Sequence, residues 1–194
     1  MNFYRRKLLN AILYFVKERT KPTTITVVAK LLYYLDSEHF KQTGMPAIGL
    51  RYYAYPKGPL PLDLWKEFAG DKAPEDFRIS LRVNETKDEI EPMKRTLAFH
   101  AIAKPDLDVF TPREQSILTN AMEIYRDTPA NLMIEASHER GTPWEKTVRT
   151  KGVKAEIDYM LGLGKDSPIT KEEAKEALDE YFAVMNNFHL SSTS

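Results

Sequence analysis

Apolar residues recur at helical spacing twice near the N-terminus, first at Leu9, Ile12, Leu13 and Val16 and then at Val28, Leu31, Leu32 and Leu35. Side chains three and four apart share one helix face, so the spacing predicts two packed amphipathic helices. Residues 24–28 are rich in β-branched side chains and would suit a strand. The helical period that runs on through His39 decides for helix, and Gly44 and Pro46 stop it. From 47 to 55 the aromatics and the alternation predict a strand, closed by the proline-rich stretch PKGPLP, which forces turns. Residues 62–68 read as a short helix. Ile79, Leu81 and Val83 alternate with Arg78, Ser80 and Arg82, and Leu97, Phe99 and Ala101 repeat the pattern. Two strands with one wet face each are predicted to pair across the charged loop 84–94, and the 47–55 segment is a candidate third strand.

The later chain is helical and its helix starts are legible. Thr111-Pro112 with Glu114, and Thr142-Pro143 with Glu145, each offer a capping hydroxyl, a proline at the first helical position and a glutamate three residues past the cap. Thr128-Pro129 and Thr170 with Glu173 are partial versions. A last helix carries Ala174, Leu178, Tyr181 and Met185 on one stripe. The expected fold is α+β and predominantly α-helical, with helices packed around or against a small antiparallel sheet. It forms one domain over 1–190, followed by a disordered tail at 191–194.

Composition adds exclusions. Lys plus Arg and Asp plus Glu balance at 28 each among 194 residues, so no long-range field draws the chain to nucleic acid or anionic lipid. Two small basic groups, Arg5-Arg6-Lys7 and Arg149-Lys151-Lys154, read as solvated faces. With no cysteine, disulfides, thiolate catalysis and sulfur-ligated zinc are excluded. The basic N-terminus imitates a secretory signal, but Asn10 interrupts the apolar run and charges follow at Lys17 to Arg19. No apolar stretch reaches bilayer-spanning length. A cytoplasmic location without membrane association is expected.

Asp36 and His39, three apart on the second helix, are the first candidates for chemistry, with His138, Glu139 and His100 as distant partners for a divalent metal. His39 falls within the apolar stripe and Asp36 at its edge, which favours hydrogen-bonded core residues over ligands. Ser137 and His138, adjacent on a helix, do not face one another, and no nucleophile elbow or phosphate-cradling loop is present. No cofactor is called for. What remains is aromatic density: Tyr33, Tyr34, Tyr52, Tyr53, Tyr55, Trp65 and Phe68. Strand alternation sends Tyr52 and Tyr53 to opposite faces, so part of this set is expected at the surface, where Tyr, Trp and Arg anchor protein interfaces.

The stretch KLLYYLDSEHFKQTGMPAIGLRYYAYPKGPLP, with SHERGTPWEKT further on, resembles the Panacea domain, the SocA-like antitoxin family also met in phage-associated proteins. The matching positions are Lys30 to Tyr33, Asp36, His39, Gly44, Pro46, Gly49, Tyr52 and Gly58-Pro59, then Ser137, His138, Pro143 and Trp144, within a resemblance spanning 8–188. Tyr34-Leu35, Pro56 and the charged loop 84–94 depart from the pattern. The resemblance implies a bacterial or prophage antitoxin, not an enzyme, that neutralises a protein toxin encoded beside it by direct binding. Its motif residues Lys30, Asp36, His39, Gly44, Gly49, Gly58, Pro59, His138 and Trp144 would be structural. Candidate partner-binding residues are Arg51, Tyr52, Tyr53, Tyr55, Lys57 and Trp65. Two alternatives are a metal-dependent enzyme using Asp36, His39, His138 and Glu139, and a nucleic-acid-binding regulator. Homo-oligomerisation stays open.

Overall fold

A computed structural model describes residues 1–68, 70, 72–165 and 167–191, of which 186–191 as backbone alone. Among these the chain forms seven α-helices: α1 (Phe3–Glu18), α2 (Ile25–Thr43), α3 (Leu62–Glu67), α4 (Pro112–Tyr125), α5 (Ala130–His138), α6 (Pro143–Lys151) and α7 (Lys171–Ser191). Two antiparallel hairpins accompany them, β1 (Tyr53–Tyr55) with β2 (Gly58–Leu60), and β3 (Leu81–Lys87) with β4 (Arg95–Ala101). The fold is α+β and mostly helical, as expected. The tail expected at 191–194 falls, beyond Ser191, on residues outside the described ones. Among the described residues no helix is long and apolar enough to cross a membrane.

The centre is α2. Twelve of its nineteen residues are buried, so it is apolar on nearly every side and needs neighbours all round. It packs against α1, α4, α5, α7, β2 and β4. The β-branched start of this segment explains its mixed signal: Thr24 forms an isolated bridge to Ala98 of β4, the Phe99 N–H donates to Thr23 O at 3.0 Å, and the helix begins at Ile25. Gly44, at φ +77°, ends it in the left-handed conformation.

The capping signals hold at α4, α6 and α7. Thr111 and Glu114 cap each other's backbone N–H, as do Thr170 and Glu173. At α6 Thr142 caps Glu145, whose carboxylate turns to the Gly141 N–H instead. At α5 the signal misleads: Thr128 donates back to Ile124 O at 2.8 Å and caps nothing, leaving Pro129 at the cap position.

Three strand expectations are corrected. Ile79 is 88% exposed and lies in a turn before β3, because the Ser80 carbonyl is taken by the N–H groups of Ile102 and Ala103. β3 instead runs through Lys87, into the stretch expected as loop, with Lys87 opposite Arg95. The 47–55 strand shrinks to Tyr53–Tyr55, and β1 does not join β3–β4. It pairs with β2, so part of the expected turn stretch is itself a strand, and residues 154–157 run along its other side through Ala54 N–H to Ala155 O and Ile157 N–H to Tyr52 O.

Candidate functional site

Asp36, on the buried face of α2, is wholly enclosed. Its carboxylate accepts the backbone N–H groups of Ile48 (2.6 Å), Gly49 (3.2 Å) and Leu50 (3.2 Å), and the Tyr52 hydroxyl at 3.0 Å. Burial pushes its carboxyl up from the ordinary range, while those four donors pull it back toward the ionised form. The same loop is held from its carbonyl side: the Tyr181 hydroxyl donates to Ile48 O at 2.8 Å and the Tyr159 hydroxyl to Leu50 O at 2.6 Å. Residues 48–50 therefore have both polar edges satisfied, which is why they cannot extend β1 into a longer strand. Gly49 sits at φ +84°, and a Cβ there would lie 2.5 Å from the Tyr181 hydroxyl oxygen.

His39 lies one turn on, its Nδ1–H donating to Met45 O at 2.7 Å. Its Nε2 stands 3.9 Å from Glu114, a buried carboxylate already paired with Lys7 at 2.5 Å. Asp36 and His39 thus each tie α2 to a following loop rather than to each other. His138 stacks on Trp144 with ring centroids 3.7 Å apart, and the Trp144 indole N–H donates to Tyr55 O at 2.9 Å. Glu139 and His100 are exposed. Among the described residues no group of three or more His, Asp or Glu could hold a metal ion, and the set Asp36, His39, His138 and Glu139 is not brought together.

The two sequence-distant motif stretches do meet, around Lys30. This lysine is 7% exposed and donates to Pro59 O at 2.9 Å. A Cβ on Gly58, at φ +94°, would fall 2.8 Å from its Nζ and would also strike the Ser137 hydroxyl. So α2, the β1–β2 turn and the end of α5 close on one another over a glycine that has no side chain to interpose.

A family model for the SocA-like antitoxin, Panacea domain, matches residues 28–145, more than half of the chain. The chain belongs to the SocA-like antitoxin family. No curated protein and no solved structure matches. The Panacea match starts in α2 and ends in the first turn of α6, narrower than the 8–188 expected, and it contains every motif residue named above. Tyr159 and Tyr181, which grip the 48–50 loop, lie outside it. Sequence reasoning placed Tyr181 on the stripe of the last helix without tying it to this loop and missed Tyr159, because nothing in local spacing joins phenols more than a hundred residues away to Asp36.

The expected partner-facing set divides on this Panacea scaffold. Tyr52 is withdrawn from it: the side chain is 1% exposed and its hydroxyl serves Asp36. Arg51 and Tyr53 lie to one side, Arg51 paired bidentately with Glu156. Tyr55, Lys57 and Trp65 line a separate cavity of about 390 Å³. Its rim is braced by Lys57 bridging Asp88 (2.8 Å) and Glu91 (2.9 Å) from the β3–β4 loop. Of the N-terminal basic group, Arg5 pairs with Glu67 and Asp76, Arg6 with Asp106 and Lys7 with Glu114, so acids offset it residue by residue.

Proposed function

We propose that the protein is an antitoxin that neutralises a cognate protein toxin, encoded by an adjacent gene, by direct binding and without catalysis. The family match over 28–145 carries this reading. The geometry supports it: the groups that looked most like chemistry, Asp36 and His39, satisfy buried backbone atoms, and a carboxylate ringed by four donors has no lone pair directed at a substrate. The partner-binding surface we assign is the hairpin edge with the cleft beside it, Arg51, Tyr53, Tyr55, Lys57 and Trp65. Trp65 is 37% exposed, with its ring over the cleft formed by α3 and the β1–β2 turn. An exposed aromatic anchor of this kind, once a partner covers it, carries a large share of the roughly −12 kcal/mol that nanomolar binding needs.

The test is co-expression with the neighbouring reading frame. The chain alone should leave growth unchanged, the neighbour alone should arrest it, and the pair should grow and co-purify as a complex. Growth arrest that persists when both are present, with no complex recovered, would sink the reading.

A further inference from the structure

Lys30 is a buried amine with an incomplete set of partners. Its ammonium has three hydrogens and one acceptor, the Pro59 carbonyl, and it forms no ion pair among the described residues. Lys7, buried to the same degree on α1, has Glu114 at 2.5 Å. An unpaired charge in such a place is costly unless an anion reaches it. The room for one is present. Lys30 lines a cavity of about 200 Å³ between α2, α5 and the start of α6, together with Tyr33, Ser37, Tyr125, Met133 and Ser137. An apolar cavity of about 150 Å³ already admits benzene, so this one takes a single side chain. The other cation lining it, Lys41, is neutralised by Glu38 at 2.6 Å.

We propose that this cavity receives an acidic side chain of the partner protein, its carboxylate meeting Lys30. This rests on the antitoxin reading and adds the chemistry of one contact. The aromatic and methionine walls take the aliphatic part of a glutamate or aspartate, leaving Lys30 to meet the carboxylate, since the Ser137 hydroxyl already donates to Ile134 O and Tyr33 is bonded to Ser37. Burial holds the free amine down at about 7 and pulls His138, which feels Lys30, below its ordinary value. An arriving carboxylate favours the ammonium, so the chain takes up a proton on binding at neutral pH and above. The charged and titratable groups facing the site are Tyr33, Tyr34, Glu38 and Lys41 of α2, Tyr125 of α4 and His138 of α5, and Lys30 also borders the cleft of about 390 Å³ beside Lys57, Glu91 and Lys94.

The experiment uses the purified full chain carrying lysine labelled with ¹³C at Cε, titrated with the methylamide of N-acetylglutamate, with its glutamine counterpart, and with inorganic phosphate. The Lys30 signal, assigned by its loss in Lys30→Met, should shift saturably with the glutamate probe at about millimolar concentration. It should respond at least tenfold more weakly to the glutamine probe. Ala136→Trp, which fills the exposed lip of the same cavity without touching Lys30, should abolish the shift even if the methionine variant folds poorly. In the growth assay Ala136→Trp should lower rescue of the neighbour's toxicity while wild type rescues. Equal response to glutamine, a tighter response to phosphate, or no shift by about 50 mM glutamate probe overturns the proposal. So does full rescue by Ala136→Trp. Failure of the wild type to rescue strikes the antitoxin reading instead, while the probe titration still reports on the cavity.

Discussion

Raising the pH from 7 to 9 should stabilise this protein through one amine. Lys30 titrates at about 7 in the folded chain because burial disfavours its charged form, whereas an unfolded lysine titrates near 10.4. Between those values the unfolded chain holds a proton that the folded chain has shed. A depressed folded pKa therefore gives stability that is complete above about pH 10.4 and lost as pH falls through about 7. One proton gives a limiting slope of about 1.4 kcal/mol per pH unit, and because half of the folded amines are still charged at pH 7, the gain to pH 9 is about 2 kcal/mol. Neighbours do not cancel it: His138 is held below its ordinary value and stays neutral across the window, and Tyr33 is pushed up to about 12. Urea titrations at pH 7, 8 and 9 and fixed ionic strength, on wild type and Lys30→Met, isolate the term, since loss of the bond to Pro59 O is a constant offset. The difference between the two proteins should grow by about 2 kcal/mol in favour of wild type. Parallel pH dependences would mean that the amine stays charged in the fold, and the burial argument would fail.

Asp36→Ala strands three backbone N–H groups and a phenol in the interior and should cost about 3–5 kcal/mol, lowering the thermal midpoint by roughly 10 °C in calorimetry. Gly49→Ala meets both an unfavourable φ and the Tyr181 ring, whereas Gly70→Ala, at φ +93° with nothing within 4 Å, meets the backbone strain alone. The first should destabilise by more than the roughly 1 kcal/mol expected of the second, and equal losses in denaturant titrations would contradict the packing described for the 48–50 loop. Trp65→Ala should weaken toxin binding by about 2 kcal/mol, near thirtyfold in calorimetric titration, with the midpoint of unfolding almost unmoved. Dialysis against a chelator should leave the unfolding midpoint unchanged and elemental analysis should find no stoichiometric metal, because Asp36 and His39 already have partners from the protein itself.

What could be read from the sequence was what local chemistry decides. Periodicity located α1 and α2, and threonine–glutamate pairs located the starts of α4, α6 and α7, because caps and stripes are written within one or two turns. Thr128 failed since a hydroxyl at a helix junction has two backbone choices, and the carbonyl behind it won. The 47–55 strand failed for a tertiary reason: Asp36 collects the amides of 48–50, and an amide bound to a carboxylate is lost to a sheet. Ile79 failed because alternation alone does not say where a strand begins. The motif positions were visible as positions, but their meeting around Lys30 and Gly58 depends on α5 and α6 folding back onto α2, which spacing does not encode.

The grip on residues 48–50 also sets an order of events as the chain leaves the ribosome. Asp36 finds its three amides within fifteen residues, so that half of the knot can tie early. The carbonyls of Ile48 and Leu50 wait for Tyr181 and Tyr159, more than a hundred residues later. Until α7 emerges, the edge leading into the first hairpin is anchored on one side only.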